Sequence, residues 1–126
     1  MIITRMFKGE DGISHFEDLE IPARETRVGT LSQWFAAEDV LFREVEEGLF
    51  LDWHHADSRV LIVILSGRIE VTLGSGTRQF GPGEMVLAED IDGQGHQTRD
   101  IEGPRRSIMI RVPDEFDVAQ WRRPSS

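Results

Sequence analysis

Apolar residues along this chain recur every second position rather than every 3.6, and glycine-rich turns interrupt them at short intervals. "RIEVTL", residues 68–73, shows the pattern most cleanly: Ile69, Val71 and Leu73 alternate with Arg68, Glu70 and Thr72. Neighbouring side chains on a strand point to opposite faces, so this segment has one dry face and one wet one. "VLIVIL", residues 60–65, is apolar throughout, as expected of a strand covered on both sides. The periodicity predicts strands near 2–7, 14–21, 40–46, 50–55, 59–65, 68–73, 77–80, 85–89, 95–100 and 106–112. "SG" at 66–67 and "GSG" at 74–76 read as tight hairpin links, and "FGPGEM" as a turn around Pro82. Only "TLSQWFAAED", residues 30–39, suits a helical turn or two, with Thr30 or Ser32 as its cap. "PDEFDVAQWRRPSS" reads as loop and tail, with Phe116 and Trp121 placed to tie it onto the fold or onto a second subunit. Ten short strands with at most one short helix predict an all-β sandwich, jelly roll or barrel.

Composition narrows the reading further. A chain of 126 residues is one domain with a modest core, divided here into N-terminal strands (2–21), a central region (40–112) and a C-terminal tail (113–126). The net charge of -9 argues against a nucleic-acid partner, because phosphates would be repelled. There is no cysteine, hence no disulfide, thiolate ligand or thiol nucleophile. No stretch has the apolar length of a signal peptide or a membrane span, so the expectation is a cytoplasmic protein with no membrane partner. Apolar residues in both terminal segments (Ile2, Ile3, Phe7, Phe116, Trp121), together with short edge strands, predict a homodimer.

The candidate chemistry is histidine chemistry. In "DWHHADSRV", His54 and His55 are adjacent, so on a strand only one of them can face the interior. His96 follows two glycines in "DGQGH", which let the backbone approach a ligand closely. An imidazole titrates near neutrality and can act as a general acid or base, or as a metal ligand. Arg59 and Arg99 are candidates to grip a substrate carboxylate with a two-pronged fork. Asp90 can accept a histidine ring N–H and orient it. His15 and Trp53 are candidate pocket walls. No phosphate-binding glycine loop and no serine nucleophile elbow is present.

The order of these features resembles the cupin superfamily. A histidine strand leads into "LSGRIEV", then "GPGEMVLAED", then a glycine-flanked histidine. With "SHFEDLEIP" and "DWHHA", the chain is similar to small single-domain bacterial cupins over about residues 40–112. The resemblance implies a jelly-roll β-barrel with a ligand or metal site inside. The family's metal site takes two histidines one residue apart, a glutamate, and a histidine from the second motif. Counting back from Gly67, the glutamate position falls on Val60 and the paired positions on Trp53 and His55, whereas the "WHxA" pattern makes His54 the inward residue. A site of His54, His55 and His96, completed by an oxygen of Glu89 or Asp90, would take Fe, Zn, Mn or Ni. The resemblance therefore implies a small-molecule-acting isomerase, lyase or oxygenase, with His54, His96 and Arg59 as the reacting groups, with or without a divalent metal. The rival is a binding or sensing module. Convergence of at least two of the histidines with a charged partner favours the enzyme.

Overall fold

The two strongest alternating patterns become the two longest strands. β7 (Val60–Leu73) and β10 (His96–Arg111) run antiparallel along their lengths in a computed structural model that describes residues 1–124. They are central to an eight-stranded sheet of order β2-β1-β9-β7-β10-β5, with β6 added to β10 and β8 to β7. The other members are β1 (Ile2–Lys8), β2 (Ser14–Glu20), β5 (Asp39–Val45), β6 (Phe50–His54), β8 (Gly76–Phe80) and β9 (Met85–Ala88). The sheet is mixed, since β1 pairs with β9 in parallel and the remaining ladders are antiparallel. Its hydrogen-bonded path ends at β2 and β5. The protein is all-β, and the sheet does not close into a barrel.

Two expectations about local structure are corrected. Residues 30–39 form no helix. β3 (Arg24–Thr26) and β4 (Gly29–Leu31) make a small separate ribbon, and 32–38 are irregular. The Thr26 hydroxyl donates to the Gly29 carbonyl at 2.7 Å and accepts from the Val28 N–H at 3.1 Å, so a side-chain-closed turn takes the place of a cap.

The second correction concerns "SG" at 66–67, which is a bend within β7 rather than a hairpin. Inward residues in the first half of β7 are Val60, Ile62 and Ile64; in the second half they are Ile69, Val71 and Leu73. Even numbers give way to odd across the bend. The partner strand changes register between Asp100 and Ser107, opposite the same place. Gly67 sits there with φ of +81°, and a Cβ on it would lie 2.7 Å from the Glu102 carbonyl oxygen and 2.8 Å from the Arg105 Cα. Only glycine tolerates that conformation and that proximity. Four expected strands thus become two bent ones.

The core has two parts. One packs Met6, Ile64, Ile69, Val71, Leu73, Phe80, Val86 and Ala88. The other joins Ile3, Leu19, Leu87 and Val112 to Phe116 and Val118 of the tail. Phe35 stacks on Phe116 (5.1 Å between ring centres) and Trp121 (5.7 Å), so one aromatic cluster fastens both the irregular segment and the tail. Residues 125 and 126 of the expected tail lie outside the described residues. Ile3 and Phe116, offered above as association surface, are buried within their own chain. The exposed apolar residues include Val40 and Phe42 of the edge strand β5, and Leu65.

Gly67→Ala is expected to destabilise the fold by about 2 kcal/mol or more, from left-handed strain plus backbone collision. Urea denaturation measures it, and Gly48→Ala, at φ of +83° with nothing within 4 Å of the added Cβ, serves as the control for strain alone. The sheet's outer pairs also set an acid limit. Burial pushes the Glu17 and Asp18 carboxyls up, but hydrogen bonds from Arg123 and Arg5 to Glu17, and from Arg78 and Thr4 to Asp18, outweigh it and leave both lowered. A lowered folded pKa contributes stability that is present above the unfolded carboxylate value and lost as pH falls through the folded one. Melting temperature should therefore fall below about pH 4, and less so in the Glu17→Gln/Asp18→Asn double variant.

Candidate functional site

The bend turns two different stretches of β10 toward the same concave face. His96 and Thr98 come from before it, and Arg105 and Met109 from after it. With Leu41 and Arg43 of β5, Leu51 and His54 of β6, and Val60, Ile62 and Ile69 of β7, they line a cavity of about 620 Å³. That volume suits a small organic molecule. Asp39, Asp57 and Arg111 also line the cavity and are exposed to solvent.

His54 and His96 meet because β6 and β10 pair directly there, with a register shift between His96 and Thr98. Their rings pack edge to face, 4.4 Å between centres. Gly95 makes this possible: its φ is +75°, and a Cβ on it would sit 2.0 Å from the His54 carbonyl oxygen. The glycine before His96 therefore admits the backbone of His54, where a ligand was expected.

Each ring is held through Nδ1. His96 Nδ1 lies 2.6 Å from Asp90 Oδ2, which also accepts a hydrogen bond from the Ser14 hydroxyl at 3.0 Å. His54 Nδ1 lies 2.8 Å from the Asp52 carbonyl oxygen. A carboxylate and a carbonyl both accept, so both neutral rings carry their proton on Nδ1 and leave Nε2 as the basic nitrogen. His96 is buried and Asp90 fully so, with Asp90 Oδ1 unpartnered. Asp90 thus fixes the tautomer and orientation of His96, an arrangement that can take up a proton at Nε2.

A second polar group lines the same cavity. Buried Arg105 donates from Nε to Asp100 at 2.5 Å and from Nη1 to Ser107 at 3.4 Å. Arg43 stands opposite Ser107 in the β5–β10 ladder. Its pKa is pulled below the usual arginine range by burial and then by the Arg105 charge, offset only in part by Asp100.

Of the other candidates, His55 alone is at the cavity. His55 lines the cavity but is exposed, with Nδ1 3.2 Å from the Ala56 carbonyl oxygen. Arg59 faces away from the cavity: it donates to Glu89 at 2.7 Å and to the carbonyls of Pro113 (3.0 Å) and Phe116 (2.6 Å). Glu89 is held by Arg59 and Arg5, on the face opposite its neighbour Asp90. Arg59 and Glu89 therefore join the tail to the sheet instead of meeting the histidines. Trp53 is partly exposed and outside the cavity, as strand alternation from His54 requires. Arg99, next to inward Thr98, stacks on Phe50 at 4.7 Å. His15 pairs with Asp11 at 2.9 Å and is likewise outside.

Among the described residues no three His, Cys, Asp or Glu side chains converge on a common point. Val60 occupies the position where the resemblance places a carboxylate, and Asp90 is on the Nδ1 side of His96. A metal held by this chain would rest on two imidazoles, short of the three protein ligands that usually fix one. Arg43 and Arg105 went unnoticed in the sequence. The available signal was Arg43 between Leu41 and Val45, a charge at an apolar position of the alternating pattern.

No protein-family model matches the chain. No curated protein matches it. Among solved structures, the conserved SPY1581 protein of unknown function from Streptococcus pyogenes is similar at 17% identity, with 64% of this chain and 80% of that one covered and a TM-score of 0.46.

His96→Ala would leave the buried Asp90 with only the Ser14 hydroxyl on Oδ2, and is expected to cost about 3 kcal/mol in chemical denaturation. His96→Asn, whose amide can stand near the Nδ1 position, is expected to lose less. His55→Ala should be near neutral, within about 0.5 kcal/mol.

Proposed function

We propose that this protein is a small-molecule-acting enzyme of cupin type, in which His96 and His54 move a proton on a substrate bound in the concave cavity. The observation that carries the reading is the Asp90–His96 pair at 2.6 Å with the His54 ring packed against it. Asp90 holds the imidazole in one tautomer and stabilises the imidazolium that forms when Nε2 takes a proton. Isomerisation or lyase chemistry needs that step, and an apolar wall strengthens the electrostatics of the proton transfer. A divalent ion, if carried, would be held by His54 and His96 and would polarise a substrate oxygen. The chain's own residues would still bind and orient the substrate.

A second reading, a metabolite-binding module, is favoured by Val60 at the position where the resemblance calls for glutamate. The test is a panel of small organic acids, keto acids and sugars incubated with the protein in D2O, in the presence and absence of chelator. Proton NMR follows solvent deuterium incorporation and product formation. The enzyme reading expects exchange or turnover of at least one compound, reduced at least about 100-fold in a folded His96→Asn variant. Binding without exchange or turnover by any compound overturns it in favour of the binding module. Loss of turnover with chelator, restored by one added metal, assigns the ion.

A further inference from the structure

Two guanidinium groups lie near each other beside the cavity, and the carboxylate between them, Asp100, is held by Arg105. Arg105 is buried, and its charge is met by Asp100 at 2.5 Å, with Ser107 as a further acceptor. Arg43, across the ladder from Ser107, also lines the cavity and is only partly exposed. Among the described residues Arg43 has no ion pair and no side-chain hydrogen bond. The other arginines lining the cavity have carboxylate partners: Arg105 holds Asp100, and Arg111 holds Asp39 at 3.0 Å. The remaining carboxylate in the lining, Asp57, is exposed to solvent. Arg43 therefore gives up part of its hydration, beside a second positive charge, without a counter-ion of its own. Burial and Arg105 both act to disfavour its charged form. An anionic ligand would remove that penalty, and a planar one would fit the fork of the guanidinium.

We propose that Arg43, buttressed by the Arg105–Asp100 pair, is an anion-recognition subsite, and that the cavity's ligand is a small organic monocarboxylate. This deepens the enzyme reading and rests on it. One unmet positive charge calls for one negative charge. The apolar remainder of the ligand would lie against Ile62, Ile69 and Met109, which line the same cavity. The carboxylate end would be recognised by Arg43, and the reacting carbon presented to the imidazoles. Arg43 is a specificity-determining residue on this account, while His96 and His54 carry the proton.

The test uses benzoate as the probe, with benzamide as its neutral isostere and inorganic phosphate as the competing anion class. Binding is followed by amide chemical shifts of the full-length protein. The expected result is saturable benzoate binding that moves resonances of β5 and β10, no binding of benzamide at tenfold higher concentration, and no displacement by phosphate. Arg43→Gln should weaken benzoate at least tenfold, and Arg43→Lys should recover part of the loss. Arg99→Gln, with the same charge change outside the cavity, should leave affinity within twofold. Absence of saturable benzoate binding, or equal binding of benzoate and benzamide, overturns the proposal, as does unchanged benzoate affinity in Arg43→Gln or tighter binding of phosphate than benzoate. Carboxylate binding that depends on Arg43, with no turnover in the deuterium experiment, sinks the enzyme reading and leaves the subsite standing. Turnover of a carboxylate with KM unchanged in Arg43→Gln does the reverse.

Discussion

The paired bend in β7 and β10 is the constraint on which the rest depends. A straight strand keeps one parity of residues on each face. Here His96 and Thr98 face the same cavity as Arg105 and Met109, which no straight strand permits. The parity changes where Gly67 packs against the backbone of Glu102 and Arg105, at distances that exclude any side chain. One glycine thereby lets two strands line both ends of a single cavity. It also curls the sheet enough to bury Phe80 and Ile64 without closing the hydrogen-bonded path.

Around that bend the chain buries charge in pairs, and each pair has a different consequence. Arg59 and Glu89 join the sheet to the tail, where the guanidinium also satisfies two backbone carbonyls. Arg105 and Asp100 brace the bend itself. Asp90 and His96 lie inside the sheet, where a carboxylate with one unpartnered oxygen is costly. Net stability is poorly served by such an arrangement, whereas a preoriented imidazole is well served by it. Arg43 shows the same trade in milder form, as a partly desolvated cation with no ion pair among the described residues.

The cavity unites these features. Its lining mixes aliphatic side chains such as Val60, Ile62, Ile69 and Met109 with about as many polar ones, and two backbone devices position the polar groups that matter here. Gly95 brings His54 to His96, and the β5–β10 register sets Arg43 opposite Ser107. Aliphatic walls with polar groups held at fixed places are usual in a small-molecule site.

The sequence by itself determined the all-β class, since period-2 patterning and frequent turn residues leave little room for helices. The expectation that only one of His54 and His55 faces the interior did not hold: β6 ends at His54, so strand alternation does not govern His55, and both line the cavity. The tail's attachment through Phe116 and Trp121 was legible as apolar residues in a polar stretch. Tertiary structure decided the rest. The merging of four expected strands into two depended on what Gly67 would meet, 35 or more residues away in sequence. The ribbon in place of a helix depended on a turn closed by Thr26. Arg59 reads as an exposed clamp until its partners Glu89 and Phe116 fold beside it. Asp90 rather than Glu89 meets His96 because alternation sends adjacent carboxylates to opposite faces, and only the assembled sheet shows which face holds the histidine. Charge compensation is likewise non-local: Arg43 becomes a cation without a counter-ion only once Asp100 is seen to belong to Arg105.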